Sequence, residues 1–248
     1  MADGYCVFHR KEEPLCDAHI LPRSFFKRVL ALPETDGIWL NEVGTDVVKR
    51  RPSGDYDQSI LCASADAEIG KYDQYGTEFF LPEEPDVIAQ LANGERWTKR
   101  VNLNYSKLSL FLLSYLWRAH HTKMPQYHHV NLGSLFEALV RDALLIADGS
   151  VKKWFSFCVV WFAGLHGENL LPLKYPFRRK LDGVNYYTAY FLNFKVFMRL
   201  DSKIGPEYLE WLHPANKKVM TIPVLPYAGS SEYDNDRQSL LKYHRGAS

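Results

Sequence analysis

The sequence is short of several things, and each shortage narrows what the chain can be. There are four cysteines in 248 residues, at positions 6, 16, 62 and 158, with no disulfide-framework spacing. That count fits a reducing compartment and argues against a disulfide-stapled fold. No apolar run reaches membrane-spanning length; the longest, Leu108 to Trp117, is interrupted by Ser114. The start, Met-Ala-Asp-Gly-Tyr-Cys, has neither a basic segment nor an apolar one, so no signal peptide is expected and a cytoplasmic location is. Internal repeats and low-complexity segments are lacking too. Net charge is only +1, which gives no general attraction to nucleic acid or to an anionic membrane.

Hydrophobic residues make up 46% of the chain and charged residues 24%, an ordinary globular balance with enough apolar material for a sizeable core. The charge is uneven. Residues 1–81 carry nine Lys/Arg against fourteen Asp/Glu, and the remainder carries twenty-one against fifteen. Any electrostatic grip on nucleic acid is therefore expected mainly from residues 82–248.

Residues 1–81 read as short irregular pieces with two helices. One begins near Pro22 and runs through Ser24-Phe-Phe-Lys-Arg-Val-Leu, and the other runs from about Ala63 to Tyr75. Residues 36–59 form a polar connection holding Lys49-Arg50-Arg51. The paired prolines of Leu81-Pro82-Glu83-Glu84-Pro85 mark a boundary, so a module at 1–81 and a domain at 82–248 are expected. In the second part, helices are expected over 86–93, 104–119 and 134–147, and strands over 154–162, 186–200 and 219–224. The 104–119 helix is apolar nearly all round. Ser134 and Glu137 have capping-box spacing at the start of the 134–147 helix. Trp154 to Phe162 is an aromatic and β-branched run, and residues 190–200 alternate with period two. The class is α+β.

The chemistry-bearing residues lie in three stretches: Cys6-Val-Phe-His9, then Leu15-Cys-Asp-Ala-His19-Ile-Leu-Pro22-Arg23-Ser-Phe-Phe-Lys27, then Ile60-Leu-Cys62-Ala-Ser-Ala65-Asp66 through Asp73 to Tyr75. In order and spacing they resemble small bacterial proteins of the HNH-like (ββα-metal, treble-clef) endonuclease family. Asn104 to Arg118, Val130-Asn-Leu-Gly133, Glu137 and Arg141 resemble a second block of that family, so the resemblance covers roughly the first 145 residues. It implies a ββα fold in which His19 acts as general base toward water. Asp66 would bind a divalent ion, Mg2+ or Mn2+, with Asp73 supporting it on the same helix face. Arg23 and Lys27 beside the motif would hold a nucleic-acid backbone, most naturally of DNA; outside the resemblance, the basic run Arg178-Arg179-Lys180 could hold one too. The family's setting suggests phage defence.

The same resemblance exposes losses. The family's zinc is held by four soft ligands. Here Cys6, His9 and Cys62 fill three positions, and Ala65 stands at the fourth and cannot coordinate. Cys16 is near in sequence but wrongly spaced. Either a residual Zn2+ site survives or packing by Tyr5, Phe8, Ile20, Leu61 and Ile69 replaces it. Ala18, just before His19, can neither bind metal nor orient the base. Two readings follow: a metal-dependent nuclease, or a catalytically lapsed scaffold that binds a protein or nucleic acid as one subunit of a complex. Ordinary structural roles compete with each residue. Histidines 120, 121, 128 and 129 read as exposed loop residues, and 178–180 as a solvated turn before a strand.

Overall fold

The computed structural model describes residues 3–31, 38–41, 48–51, 54–82, 88–149, 151, 153–163, 173–205 and 218–231. The expected α+β class is what it shows. Thirteen strands and four helices are present among these residues. Nine strands form one mixed sheet in the order β5-β4-β10-β11-β12-β9-β13-β8-β7. Two small antiparallel pairs, β1 (Asp3–Cys6) with β2 (Lys11–Pro14) and β3 (Ala18–His19) with β6 (Tyr56–Asp57), stand apart from it.

The central part of the sheet is β10 (Leu173–Leu181), β11 (Val184–Phe191), β12 (Phe194–Leu200) and β9 (Phe155–Ala163), all antiparallel to their neighbours in that group. β13 (Met220–Pro226) lies parallel to β9, and β4 (Ile38–Asn41) parallel to β10. β5 (Val48–Arg51) closes one edge. β8 (Arg96–Arg100) and β7 (Ile88–Gln90) close the other.

Across the sheet lie α1 (Arg23–Leu30), α2 (Ala63–Phe80), α3 (Tyr105–His121) and α4 (Gly133–Leu145). α3 is the central element: thirteen of its residues are buried, as its all-round apolar sequence requires. Its Asn104 cap accepts a bond from the Lys107 amide. α2 approaches α3 closely at Gly76, where an added Cβ would fall 2.3 Å from the Phe111 ring. Phe25, Phe80, Phe111 and Phe191 then meet in one aromatic knot, with Phe80 and Phe191 4.7 Å apart. One buried cluster runs without a break from Cys6 and Phe8 through α3 to Met220 and Ile222. The change of composition at residues 81–82 therefore does not divide the core.

Three expected elements differ. The helix expected over 86–93 is a strand where it is described: Ile88–Gln90 pairs with Arg96–Arg100, and Gly94 turns the hairpin at φ +86°. Local helix propensity yields there to pairing at a sheet edge. The strand expected over 186–200 is two strands folded back at Leu192-Asn193, with Phe191 opposite Phe194. The alternating pattern survived the turn because the two-residue loop keeps the phase on both arms. Arg178, Arg179 and Lys180 are not a turn before a strand; they lie within β10, followed by the tight Asp182-Gly183 turn. No helix among the described residues is long and apolar enough to cross a membrane.

Candidate functional site

The ββα arrangement is assembled from distant pieces. β3 and β6 pair with Ala18 opposite Asp57 and His19 opposite Tyr56, although residues 20–55 separate them in the chain. Asp57 then shapes the approach to α2. Its Oδ1 accepts bonds from the Ser59 amide and hydroxyl, and its Oδ2 accepts one from Thr122 beyond α3. α2 follows, with Cys62 at its N-terminal boundary and Asp66 in its first turn.

His19 is half-buried, its ring edge-on to Tyr56 at 6.0 Å. Its carbonyl accepts a 2.7 Å bond from Arg118 of α3. Asp66 is partly buried, and burial raises its carboxyl above the ordinary 3.8. Arg118 opposes that shift and Asp73 adds to it, and desolvation outweighs the pull of Arg118. The sequence placed Asp73 as a supporting metal ligand, and the structure uses it differently. Both of its oxygens are taken by the Arg118 guanidinium, at 2.6 and 2.8 Å. The guanidinium is 1% exposed, so the pair is a buried fork with its charges matched. Asp73 thus supports the site through Arg118, which ties β3 to α2. Ala18 is fully buried and offers no donor.

The knuckle is a separate cluster. β1 and β2 form a hairpin whose turn brings the Arg10 amide back to the Cys6 carbonyl at 2.8 Å, with Arg10 at φ 59°. Cys62 is brought in by a bridge to Leu15 and by its amide donating to Cys6 Sγ at 3.4 Å. His9 Nδ1 lies 3.3 Å from Cys62 Sγ and 3.2 Å from Glu13 Oε2. Its Nε2 faces outward to Glu68, at 3.3 Å. The four donor atoms of Cys6, His9, Glu13 and Cys62 all lie within 4.8 Å of one another. Among the described residues this is the one group of three or more such donors close enough to share an ion. Hydrogen bonds from the Cys62 thiol, Lys11 and His9 hold the Glu13 carboxyl down at about 2. The Cys62 thiol is pushed up by burial and by Glu13.

Glu13 is the residue that sequence reasoning missed. Its signal was the hairpin register, which sets Glu13 opposite Gly4, two places from Cys6 and four from His9. Cys16 stands outside the group, its thiol pushed up to about 11 by burial and by Asp66. Phe8, Ile20, Leu61 and Ile69 are buried as expected, but Tyr5 is 49% exposed and does not contribute to the core. The resemblance's second block braces this knuckle from α3 and α4. Arg141 donates to the Phe8 carbonyl at 2.6 Å, Trp117 packs edge-on to Phe8, and Glu137 receives Trp117 and Arg10.

The basic residues fall into two places. Arg23 and Lys27 are exposed one helical turn apart on α1, directly after His19. Arg178, Arg179 and Lys180 are exposed at the far end of β10, where Arg178 donates to Asn185. The histidine group at 120–129 brings together no metal-binding set among the described residues. His121 instead pairs with Glu137, and burial lowers its pKa. The chain matches no protein-family model, and no curated protein or solved structure shows significant similarity to it.

Proposed function

We propose that this chain is an HNH-like, metal-dependent nuclease acting on DNA, with phage defence the setting its resemblance suggests. The observation that supports the reading is the β3–β6–α2 unit, a strand pair followed by a helix, with His19 on the strand and Asp66 in the first helical turn. His19 takes the proton from the attacking water. Arg118 fixes the backbone that carries that imidazole. Asp66 offers a hard oxygen that would hold a Mg2+ or Mn2+ ion. Such an ion supplies charge stabilisation at the phosphate oxygens. Arg23 and Lys27, exposed on the helix that follows β3, would contact the phosphate backbone.

The test is plasmid cleavage with magnesium or manganese, comparing the wild type with His19→Ala and verifying the fold of both. Equal activity in the two, or none in either, refutes the proposal. One observation favours the second reading, a lapsed scaffold binding a partner protein or nucleic acid. Asp73 is fully engaged by Arg118 and Ala18 is buried, which leaves an ion only His19 and Asp66. Under that reading His19→Ala leaves the biological activity intact.

A further inference from the structure

We infer that Cys6, His9, Glu13 and Cys62 form a zinc site whose fourth ligand has moved from the start of α2 to the second strand of the knuckle hairpin, with Glu68 as the carboxylate behind the histidine. The inference stands apart from the nuclease reading, since it concerns how the module is held and not what His19 does.

The donor chemistry selects the ion. Two thiols, an imidazole and a carboxylate form a mixed soft and borderline set that suits Zn2+ and is wrong for Mg2+ or Ca2+, which take oxygen. Zinc bond lengths of about 2.0–2.3 Å set donor-to-donor edges of roughly 3.3–3.8 Å in a tetrahedron. Two edges of this group are already near that size: His9 Nδ1 to Cys62 Sγ at 3.3 Å and His9 Nδ1 to Glu13 Oε2 at 3.2 Å. The cluster therefore needs little rearrangement to close around an ion. Cys6 and Cys62 are buried, and His9 and Glu13 are 16% and 24% exposed in their side chains, so an ion has an entry path from one side.

The orientation of His9 is a second, independent sign. A ligating histidine presents one nitrogen to the ion and donates its other N–H to an outer carboxylate, which fixes the tautomer and strengthens the ligand. His9 turns Nδ1 inward to the two donors and Nε2 outward to Glu68. The α2 position where the resemblance expects a ligand is occupied by fully buried Ala65, whose methyl sits in the core. Glu13 compensates for it from across the cluster. A carboxylate in place of a thiolate keeps the charge of the set but makes it harder, which favours Zn2+ over softer Cu+.

Metal binding to the purified full-length chain tests this with thiols kept reduced. Zinc is titrated against a chromogenic chelator, and cobalt(II) is used as a spectroscopic probe for thiolate ligation. The wild type is expected to bind one zinc per chain and to show cobalt charge-transfer absorption from two thiolates. Glu13→Gln weakens zinc binding on the order of a hundredfold, and Glu68→Gln weakens it about 10–100-fold. Glu13→Cys, which keeps a ligand in the same place and guards against misfolding of the Gln variant, retains zinc and raises the cobalt absorption to that of three thiolates. Failure of the wild type to bind zinc stoichiometrically overturns the inference. So does unchanged affinity in Glu13→Gln, or two-thiolate absorption in Glu13→Cys.

Discussion

The two ends of the module's helix–strand unit tune carboxylates in opposite directions. At the knuckle, Glu13 is held down at about 2 by hydrogen bonds from Cys62, Lys11 and His9. On α2, Asp66 is pushed up by burial against the pull of Arg118. A depressed carboxylate favours the folded state when ionised, whereas an elevated one costs stability when ionised. The knuckle is arranged for holding. On the nuclease reading, the cost that burial lays on the Asp66 carboxylate is one that a bound cation would relieve.

The strongest way to break this comparison is His19→Ala. On the nuclease reading it lowers cleavage by about 10²–10⁴-fold, the usual worth of a general base, with an unchanged circular dichroism spectrum. Next is Arg118→Met, which strands Asp73 and releases the His19 carbonyl. Removing one partner of a buried pair costs about 3–5 kcal/mol, so a large drop in Tm is expected by calorimetry. The double variant Arg118→Met/Asp73→Leu should recover part of it, which would assign the loss to the stranded charge.

Smaller shifts separate the two carboxylates by pH. Asp66 is raised in the folded state, so its ionisation opposes folding above the ordinary value of 3.8. Asp66→Asn should therefore raise Tm by a few degrees at pH 7 without added metal, and the gain should vanish as pH falls below 3.8. Glu13 has the reverse sign: its contribution is present above its ordinary 4.5 and is lost as pH falls toward about 2. In the metal-free protein Glu13→Gln should lower Tm at pH 7, and the difference should close over that acid window. Equal signs for the two variants would erase the contrast. The smallest effect expected is at Arg23 and Lys27. On the nuclease reading, each alanine variant should weaken DNA binding similarly for all sequences and reduce the log–log salt slope by about 1.

The parts of the fold that were legible in the sequence are those where local pattern and tertiary demand agree. α3 announced itself by being apolar all round, and β9 by its aromatic run. The β7–β8 hairpin was hidden because Ile88-Ala-Gln carries no strand-specific signal and owes its form to a neighbour. β10 was hidden because its charged end, Arg178 to Lys180, looks like a turn. The Asp182-Gly183 pair that closes its hairpin was nevertheless a readable sign. Within the site, His19, Asp66, Cys6, His9 and Cys62 were visible as motif positions. Glu13 and Arg118 were not, because each acts across a distance that only the hairpin register and the α2–α3 packing create.

The strands β3 and β6 are neighbours in space although residues 20–55 separate them, and that excursion includes α1, β4 and the edge strand β5. The two strands thus act as the mouth of a purse, held shut on one side by Arg118 and on the other by the Cys6–Cys62 contact. Lengthening a loop whose mouth is already fixed is thermodynamically inexpensive, about 0.6 kcal/mol for each doubling. That allowance does not reach α1, whose Phe25 and Phe26 belong to the buried core, or β4, which pairs with β10, so the excursion is woven into the sheet and cannot be exchanged whole. His19 is thus held at the mouth both by what the excursion anchors and by Arg118.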